Sequence, residues 1–366
     1  MKDSDILSGQ MDIKLLDTMS DLIRVVDENN EVIFVNEAMR RVQGMDIGLL
    51  CPAGDDGNPN GLCDFRMTAR CLASGENIQR EVLFEDKYYS VKTNPIRSSK
   101  GKIVGAIEVF RDKSMEKNLQ VELIEKNRSL IEEQMAAANI QQALLPRRGY
   151  TEKMHMDFFY RPAEVLSGDF FDLLEVDEHH TVIYIADTVG HGFASSMVNM
   201  FISQTMRNLD PEILIDPTVA IVELGERFRD LHLPETIYFT MFLGVYCDTD
   251  RSFTYVNAGH DCPPLLKRKN RVRLLLNSGF PVSRLVQGTF YECRKAYLKR
   301  GDELLFYTDG ITECRDQKQR QFGVEALREL FSGDEPSMLE HIVHTLEDYI
   351  HQDIVDDMSC VYIRMI

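Results

Sequence analysis

Residues 113–145 contain neither glycine nor proline and are rich in Glu, Gln, Lys, Leu and Ala, a composition that favours one uninterrupted helix by propensity alone. Such a helix splits the 366-residue chain into two parts, and that length suits two domains with a connector better than one. Leu123, Leu130, Ala137 and Leu144 recur every seven residues, with Ile124, Ile131, Ala138 and Leu145 beside them. One face is therefore apolar for about three heptads, as in a helix that pairs with a second copy; a lone helix packed on the domain that follows it is the alternative. Gln120, Asn127, Gln134 and Gln141 line the adjacent track, which suits a homodimer of modest strength. Pro146 ends the connector, predicted over 113–146.

Residues 11–112 read as a small α+β domain. Leu22–Val26 and Val32–Val35 are strand-like runs joined by the polar turn Asp27-Glu28-Asn29-Asn30, and Asn36 follows as a helix cap. Strand-like runs at Glu81–Phe84, Tyr88–Pro95 and Ile103–Arg111 close the part in an antiparallel sheet. The order of Val26-Asp27, Val32-Ile33-Phe34-Val35-Asn36, Asn94-Pro95-Ile96, and Gly101 to Ile107 running to Arg111-Asp112 resembles a PAS sensor domain. Cys51, Cys63 and Cys71 fall within it; three thiols can hold a metal or iron–sulfur cluster or form a redox switch, and unrelated core and surface thiols are the plainer reading.

From Tyr150 to Ile366 ten strand-like runs interleave with four amphipathic helices, Ala194–Leu209, Thr218–Leu231, Val324–Phe331 and Met338–Gln352. Asp248-Thr249-Asp250 and Lys269-Asn270 are hairpin turns, so two packed, largely antiparallel sheets with helices outside are expected. The net charge of −18 argues against a nucleic-acid binder. Lys267, Arg268, Lys269, Arg271 and Arg273 are the densest basic run, either a solvated hairpin tip or a contact for an acidic partner. The acidic start Met1-Lys2-Asp3-Ser4-Asp5 and the lack of a long apolar run predict a cytoplasmic chain with no membrane span and mostly reduced thiols.

Four aspartates sit at turns beside these strands, in Ser167-Gly168-Asp169, Ala186-Asp187-Thr188-Val189-Gly190-His191-Gly192, Thr308-Asp309-Gly310 and Asp356-Asp357-Met358-Ser359. Carboxylates at strand ends can converge, and convergent hard oxygen donors suit Mg²⁺ or Mn²⁺. A metal pair lowers the pKa of water and neutralises a phosphate, so phosphate ester hydrolysis is the natural reaction. The sequence has no Cys-x5-Arg loop, no Gly-x-Ser-x-Gly elbow and no Walker lysine loop to supply a competing route.

These motifs, in order with Tyr160-Arg161-Pro162-Ala163, Asn257-Ala258-Gly259-His260 and Tyr307 to Glu313, resemble the PPM (PP2C-like) serine/threonine phosphatases. The similarity spans 150–366 and is greatest to the bacterial stage-II-sporulation-E and sigma-B-regulator branch, which Ile140 to Pro146 also resembles. It implies an α-β-β-α sandwich and two Mn²⁺ or Mg²⁺ ions, with Asp187 bridging them, the Thr188 carbonyl completing one, and Asp169, Asp309 and Asp356 holding the second. In the family it resembles, the ligand sits two residues before the Met of this motif, which implies Asp356 rather than Asp357. His191 and His260 are candidate proton donors to the leaving hydroxyl, or structural histidines. Where eukaryotic members place a phosphate-binding arginine this chain has Val165, leaving phosphate orientation to the metals or to Arg161. The implied substrate is a phosphorylated protein, a STAS-type anti-sigma-factor antagonist in a partner-switching pathway. Ser167 to Phe171 also superficially resembles a diguanylate cyclase turn, so a nucleotidyl cyclase and a non-catalytic phosphoprotein scaffold are the rival readings.

Overall fold

The computed structural model describes residues 10–43, 65–84, 86–190, 192–286, 288, 290–351 and 354–366, and the chain divides into two compact units between Ser129 and Leu130. The first unit runs α1 (Gln10–Asp17), β1 (Leu22–Asp27), β2 (Val32–Val35), α2 (Glu37–Gln43), α3 (Phe65–Ser74), β3 (Ile78–Phe84), β4 (Lys87–Arg97) and β5 (Ile103–Asp112). Its strands form one antiparallel sheet in the order β2-β1-β5-β4-β3. Asn36 caps α2 by accepting the Met39 N–H, and the same oxygen accepts the Ile23 N–H, both at 3.0 Å; one side chain thus starts a helix and ties it to the sheet. The core contains a buried ion pair, Arg24 with Glu108, and Thr68 and Thr93 donate to the second Glu108 oxygen at 3.2 and 3.1 Å. Charges so buried persist only with such a full set of partners. Cys71 is buried with Sγ toward the Thr93 carbonyl, while Cys51 and Cys63 lie outside the described residues.

The Gly- and Pro-free stretch is a single helix, α4 (Ser114–Leu144). Leu123, Ile124, Leu130 and Ile131 are at least half exposed, whereas Leu144 and Leu145 pack into the second unit's core. Among the described residues no helix is long and apolar enough to cross a membrane.

The second unit continues with β6 (Gly149–Tyr150), β7 (Met154–Arg161), β8 (Asp169–Glu175), β9 (His180–Thr188), α5 (Phe193–Arg207), α6 (Pro211–Leu214), α7 (Pro217–Asp230), β10 (Tyr238–Cys247) and β11 (Ser252–Ala258). Then follow β12 (Leu265–Arg268), β13 (Arg271–Leu274), β14 (Val282–Ser283), β15 (Arg294–Tyr297), β16 (Glu303–Tyr307), α8 (Asp309–Glu313), α9 (Val324–Phe331), α10 (Met338–Tyr349) and β17 (Met358–Met365). One sheet has the order β15-β11-β10-β9-β8 with β14 on β10, and the other β13-β12-β16-β17-β7-β6. Period-two alternation gives each sheet two apolar faces. Phe171, Ile183, Ile185 and Phe242 of the first sheet meet Leu304, Phe306, Val361 and Ile363 of the second in one core. The outer face of the first sheet is covered by Val198, Ile202, Leu224 and Phe228 of α5 and α7. That of the second is covered by Leu327, Phe331, Ile342 and Leu346 of α9 and α10. The result is an α-β-β-α sandwich.

Two expected elements are shorter than their patterns. Phe290–Lys299, one of the ten strand-like runs of the sequence, is a strand only over Arg294–Tyr297, where it faces Ser252–Tyr255 of β11; before that, Asn277 donates to the Glu292 carbonyl at 2.8 Å in place of a ladder partner. Helix α10 stops at Tyr349 because Ile350 turns extended, with φ −80° and ψ 117°, and packs into the α9/α10 core.

Candidate metal centre and active site

Asp169 opens β8 and Asp187 lies near the end of β9, in register directly opposite each other. Opposed like charges destabilise a sheet unless something neutralises them. Across the sandwich, Asp309 follows β16 and Asp356 precedes β17, neighbouring strands of the other sheet. Thr308 joins the two sheets: its hydroxyl donates to Asp169 Oδ2 at 2.7 Å and accepts the Ser359 N–H at 3.0 Å. Burial pushes the Asp169 carboxyl well above its ordinary range, and the Asp187 charge adds to it. Asp187 is pushed up to about 8, first by burial and then by Asp309, Asp356, Asp261 and Asp357. Asp309 rises to about 6 through burial, Asp356 and Asp261. Four predicted carboxylates therefore feel one another, and Asp261 is a further acid at the site.

Among the described residues, no three or more His, Cys, Asp and Glu side chains stand grouped so that they could hold a metal ion. The chemistry of the donor set nevertheless fits a hard divalent ion: oxygen donors only, held together against their own repulsion, with other carboxylates as their strongest charged neighbours. Backbone geometry supports the same place. A Cβ on Gly168 would stand 2.8 Å from both the Thr188 and Gly190 carbonyl oxygens, so only glycine lets the loop before Asp169 run beside the segment after Asp187. The Thr188 N–H donates to the Gly168 carbonyl at 2.9 Å, and the Thr188 hydroxyl to Asn199 Oδ1 at 3.0 Å.

Several supporting groups carry no sequence signal of their own. Asp357 accepts the N–H groups of Ala163 at 2.7 Å and Gly168 at 2.6 Å, so its carboxylate is engaged in holding the loop. Asn199 donates to the Ser167 and Asp169 carbonyls at 3.1 and 3.2 Å. Gln141, the buried residue of α4, donates to the Ser167 carbonyl at 2.8 Å and accepts its N–H at 3.2 Å. Its seven-residue track marks it as a connector residue, and only the fold reveals its partner.

His260 is 3% exposed. Its Nε2 lies 3.1 Å from the Tyr307 carbonyl and its Nδ1 3.3 Å from the Thr240 hydroxyl. The carbonyl can only accept, so Nε2 carries the proton and Nδ1 is the acceptor; burial holds the ring's pKa below its ordinary value. Both nitrogens being spoken for, the proton-donor reading of His260 gives way to a structural one. His191 lies outside the described residues. Arg161 is exposed at the end of β7, and Asp172 is turned away from the centre to Arg207, whose Nη2 stands 2.7 Å from it, off the line of a hydrogen bond.

Residues 177–366 match the Stage II sporulation protein E (SpoIIE) family. The chain is 26% identical over 232 residues to phosphoserine phosphatase RsbU of Bacillus subtilis, a match covering 62% of this chain and 68% of that one. It is 25% identical over 180 residues to phosphoserine phosphatase RsbP of the same organism, covering 48% of this chain and less than half, 44%, of the relative. In three dimensions it is similar to the SiaA-PP2C domain of Pseudomonas aeruginosa, with a TM-score of 0.56 at 17% identity, covering 65% of this chain and 98% of that domain. With more than half its length inside the matched family and a PP2C-type sandwich around the carboxylates, the chain belongs to the SpoIIE family of serine/threonine phosphatases.

Proposed function

We propose that the chain is a cytoplasmic, metal-dependent protein phosphatase that removes phosphate from serine or threonine of a partner-switching protein, a STAS-type anti-sigma-factor antagonist. The observation that carries the reading is the facing pair Asp169 and Asp187 with Asp309 and Asp356 close enough to raise the pKa of Asp187. In it, Asp187, the Thr188 carbonyl, Asp169, Asp309 and Asp356 hold two Mn²⁺ or Mg²⁺ ions. Bound there, the ions supply an activated water and positive charge for the phosphoryl oxygens. The chain's own part is to hold the carboxylates in place: Thr308 fixes Asp169, Asp357 and Gln141 fix the loop before it, and Gly168 brings the Thr188 carbonyl alongside. Val165 offers no cation to orient phosphate, so the metals carry that task in this reading. A cyclase or inert-scaffold reading of Ser167 to Phe171 gains no support from the phosphatase family.

The N-terminal unit, a five-stranded antiparallel sheet with flanking helices, is the PAS-like sensor of this proposal. The exposed leucines and isoleucines of α4 supply a homodimer seam. Turnover of p-nitrophenyl phosphate and of a phosphorylated STAS-domain protein, with and without Mn²⁺, tests the proposal. Asp187→Asn is expected to abolish both with its circular dichroism unchanged; full activity in that variant, or turnover unaffected by chelation, would sink it.

A further inference from the structure

An open groove of about 1310 Å³ lies between the β12–β13 hairpin, the turn before β16 and helix α9. Lys269, Arg271, Arg273, Lys299 and Arg300 line it, are exposed, and among the described residues form no ion pair. Arg268 does not add to this set, since Asp302 binds its guanidinium at 2.9 and 2.6 Å. Lys267 is buried against Glu303 at 3.1 Å, so the basic run, read either as a solvated hairpin tip or as a contact for an acidic partner, is split between the interior and this groove. Five unneutralised cations in one concavity invert the local charge of a chain whose net charge is −18.

The groove stands apart from the carboxylates. Strand β16 begins just after Asp302 of the groove and ends at Tyr307, just before Thr308 and Asp309, so the two sites lie at opposite ends of a five-residue strand, whose own length is roughly 17 Å at ~3.3 Å per residue. Arg271 and Arg273 are on β13, the edge strand of its sheet, and alternate residues of a strand point the same way. Arg328 of α9 donates to the Val272 carbonyl at 3.4 Å, so the helix roofs part of that edge and side chains, not an added strand, present themselves to a visitor.

We propose that this groove docks an acidic segment of a partner protein, at a surface separate from the catalytic carboxylates. Charge complementarity identifies the occupant's sign. Its kind follows from the acid that shares the lining without, among the described residues, a cation of its own, Glu329, Asp302 and Glu325 being paired with Arg268 and Arg328: a uniformly charged phosphate backbone or an anionic bilayer meets repulsion there, whereas a mixed protein segment can place a basic residue against it. The concave shape also suits a chain segment better than a flat membrane. The inference does not depend on the phosphatase reading.

The test is fluorescence anisotropy of a labelled twelve-residue Asp/Glu-rich peptide with the full chain. Binding is expected to weaken with salt and to fall at least about tenfold in Lys269→Glu/Arg271→Glu/Arg273→Glu, from several exposed pairs lost together. Circular dichroism reports whether that variant folds; if it does not, Arg271→Gln/Arg273→Gln replaces it, with about threefold weaker binding expected. Absence of peptide binding, or binding that ignores these substitutions, overturns the proposal. So does preferential capture, through the same residues, of a DNA duplex or of phosphatidylserine vesicles.

Discussion

Gln141→Ala isolates the contact between the connector helix and the loop before Asp169. Gln141 is 2% exposed, and its amide meets both backbone groups of Ser167, at 2.8 and 3.2 Å. Truncation leaves the Ser167 carbonyl with its Asn199 donor at 3.1 Å but strands the Ser167 N–H in the interior. An orphaned buried donor costs about 1–3 kcal/mol; near 2 kcal/mol, the local opening equilibrium rises about thirtyfold. Hydrogen exchange of the peptide containing Ser167 to Phe170 reads that opening directly. Because Asp169 lies two residues on, Mn²⁺ affinity by calorimetry and phosphatase turnover are expected to fall with it. Gln141→Glu keeps the acceptor for the Ser167 N–H and loses only the donor to its carbonyl, so its exchange should stay nearer wild type while turnover suffers. Ser167 protection within threefold of wild type in Gln141→Ala, with unchanged turnover, would refute the reasoning.

In metal-free protein Asp187→Asn should raise thermal stability at neutral pH, on the order of 2 kcal/mol, because a carboxyl pushed to about 8 opposes folding when ionised; calorimetry in chelator checks it. Burial lifts Asp172 to about 6 against the lowering pull of Arg207. A raised folded-state carboxyl pKa stabilises on the acid side, so this contribution is complete below pH 4 and is lost as pH rises through 6. Arg207→Ala removes the pull, and urea titrations should show the loss continuing above pH 6, by about 1–2 kcal/mol at pH 8 since the arginine is partly exposed. Asp357→Asn offers one oxygen and an NH₂ to two N–H donors at 2.7 and 2.6 Å; losing about 2 kcal/mol should lower Tm by about 4–8 °C. Gly168→Ala forces a methyl against two carbonyl oxygens at 2.8 Å and should abolish turnover and Mn²⁺ binding, read by assay and calorimetry.

Long, strongly periodic segments were legible in the sequence. Val324–Phe331 occurs with the expected bounds, because it carries a full apolar face that the sandwich buries. Elements of two to five residues, such as β14 and α8, are too short to display a period, and α8 starts at Asp309 inside what reads as a turn. The acidic positions were visible through the turn residues beside them. Their supports were not, because Gln141 finds Ser167, and Asp357 finds Ala163, only after segments far apart in sequence are brought together. His260 reads equally as a proton donor or a structural histidine in the sequence, and the Thr240 and Tyr307 contacts that favour the structural reading come only from the fold.

The partners of the acids, more than their number, separate scaffold from centre. Asp357 spends its charge on two backbone N–H groups. Asp172, three residues beyond Asp169 and so on the other face of β8, faces an arginine. Asp187 and Asp309 face chiefly one another and further carboxylates, and both are driven upward in pKa by burial and that repulsion. A fold that supplies cationic or N–H partners to the neighbouring acids and concentrates negative charge on these has left a deficit of positive charge at one edge of the sandwich. A hard divalent ion bound by oxygen removes that deficit and returns the carboxylates to their ionised state. Metal uptake should therefore release protons near neutral pH.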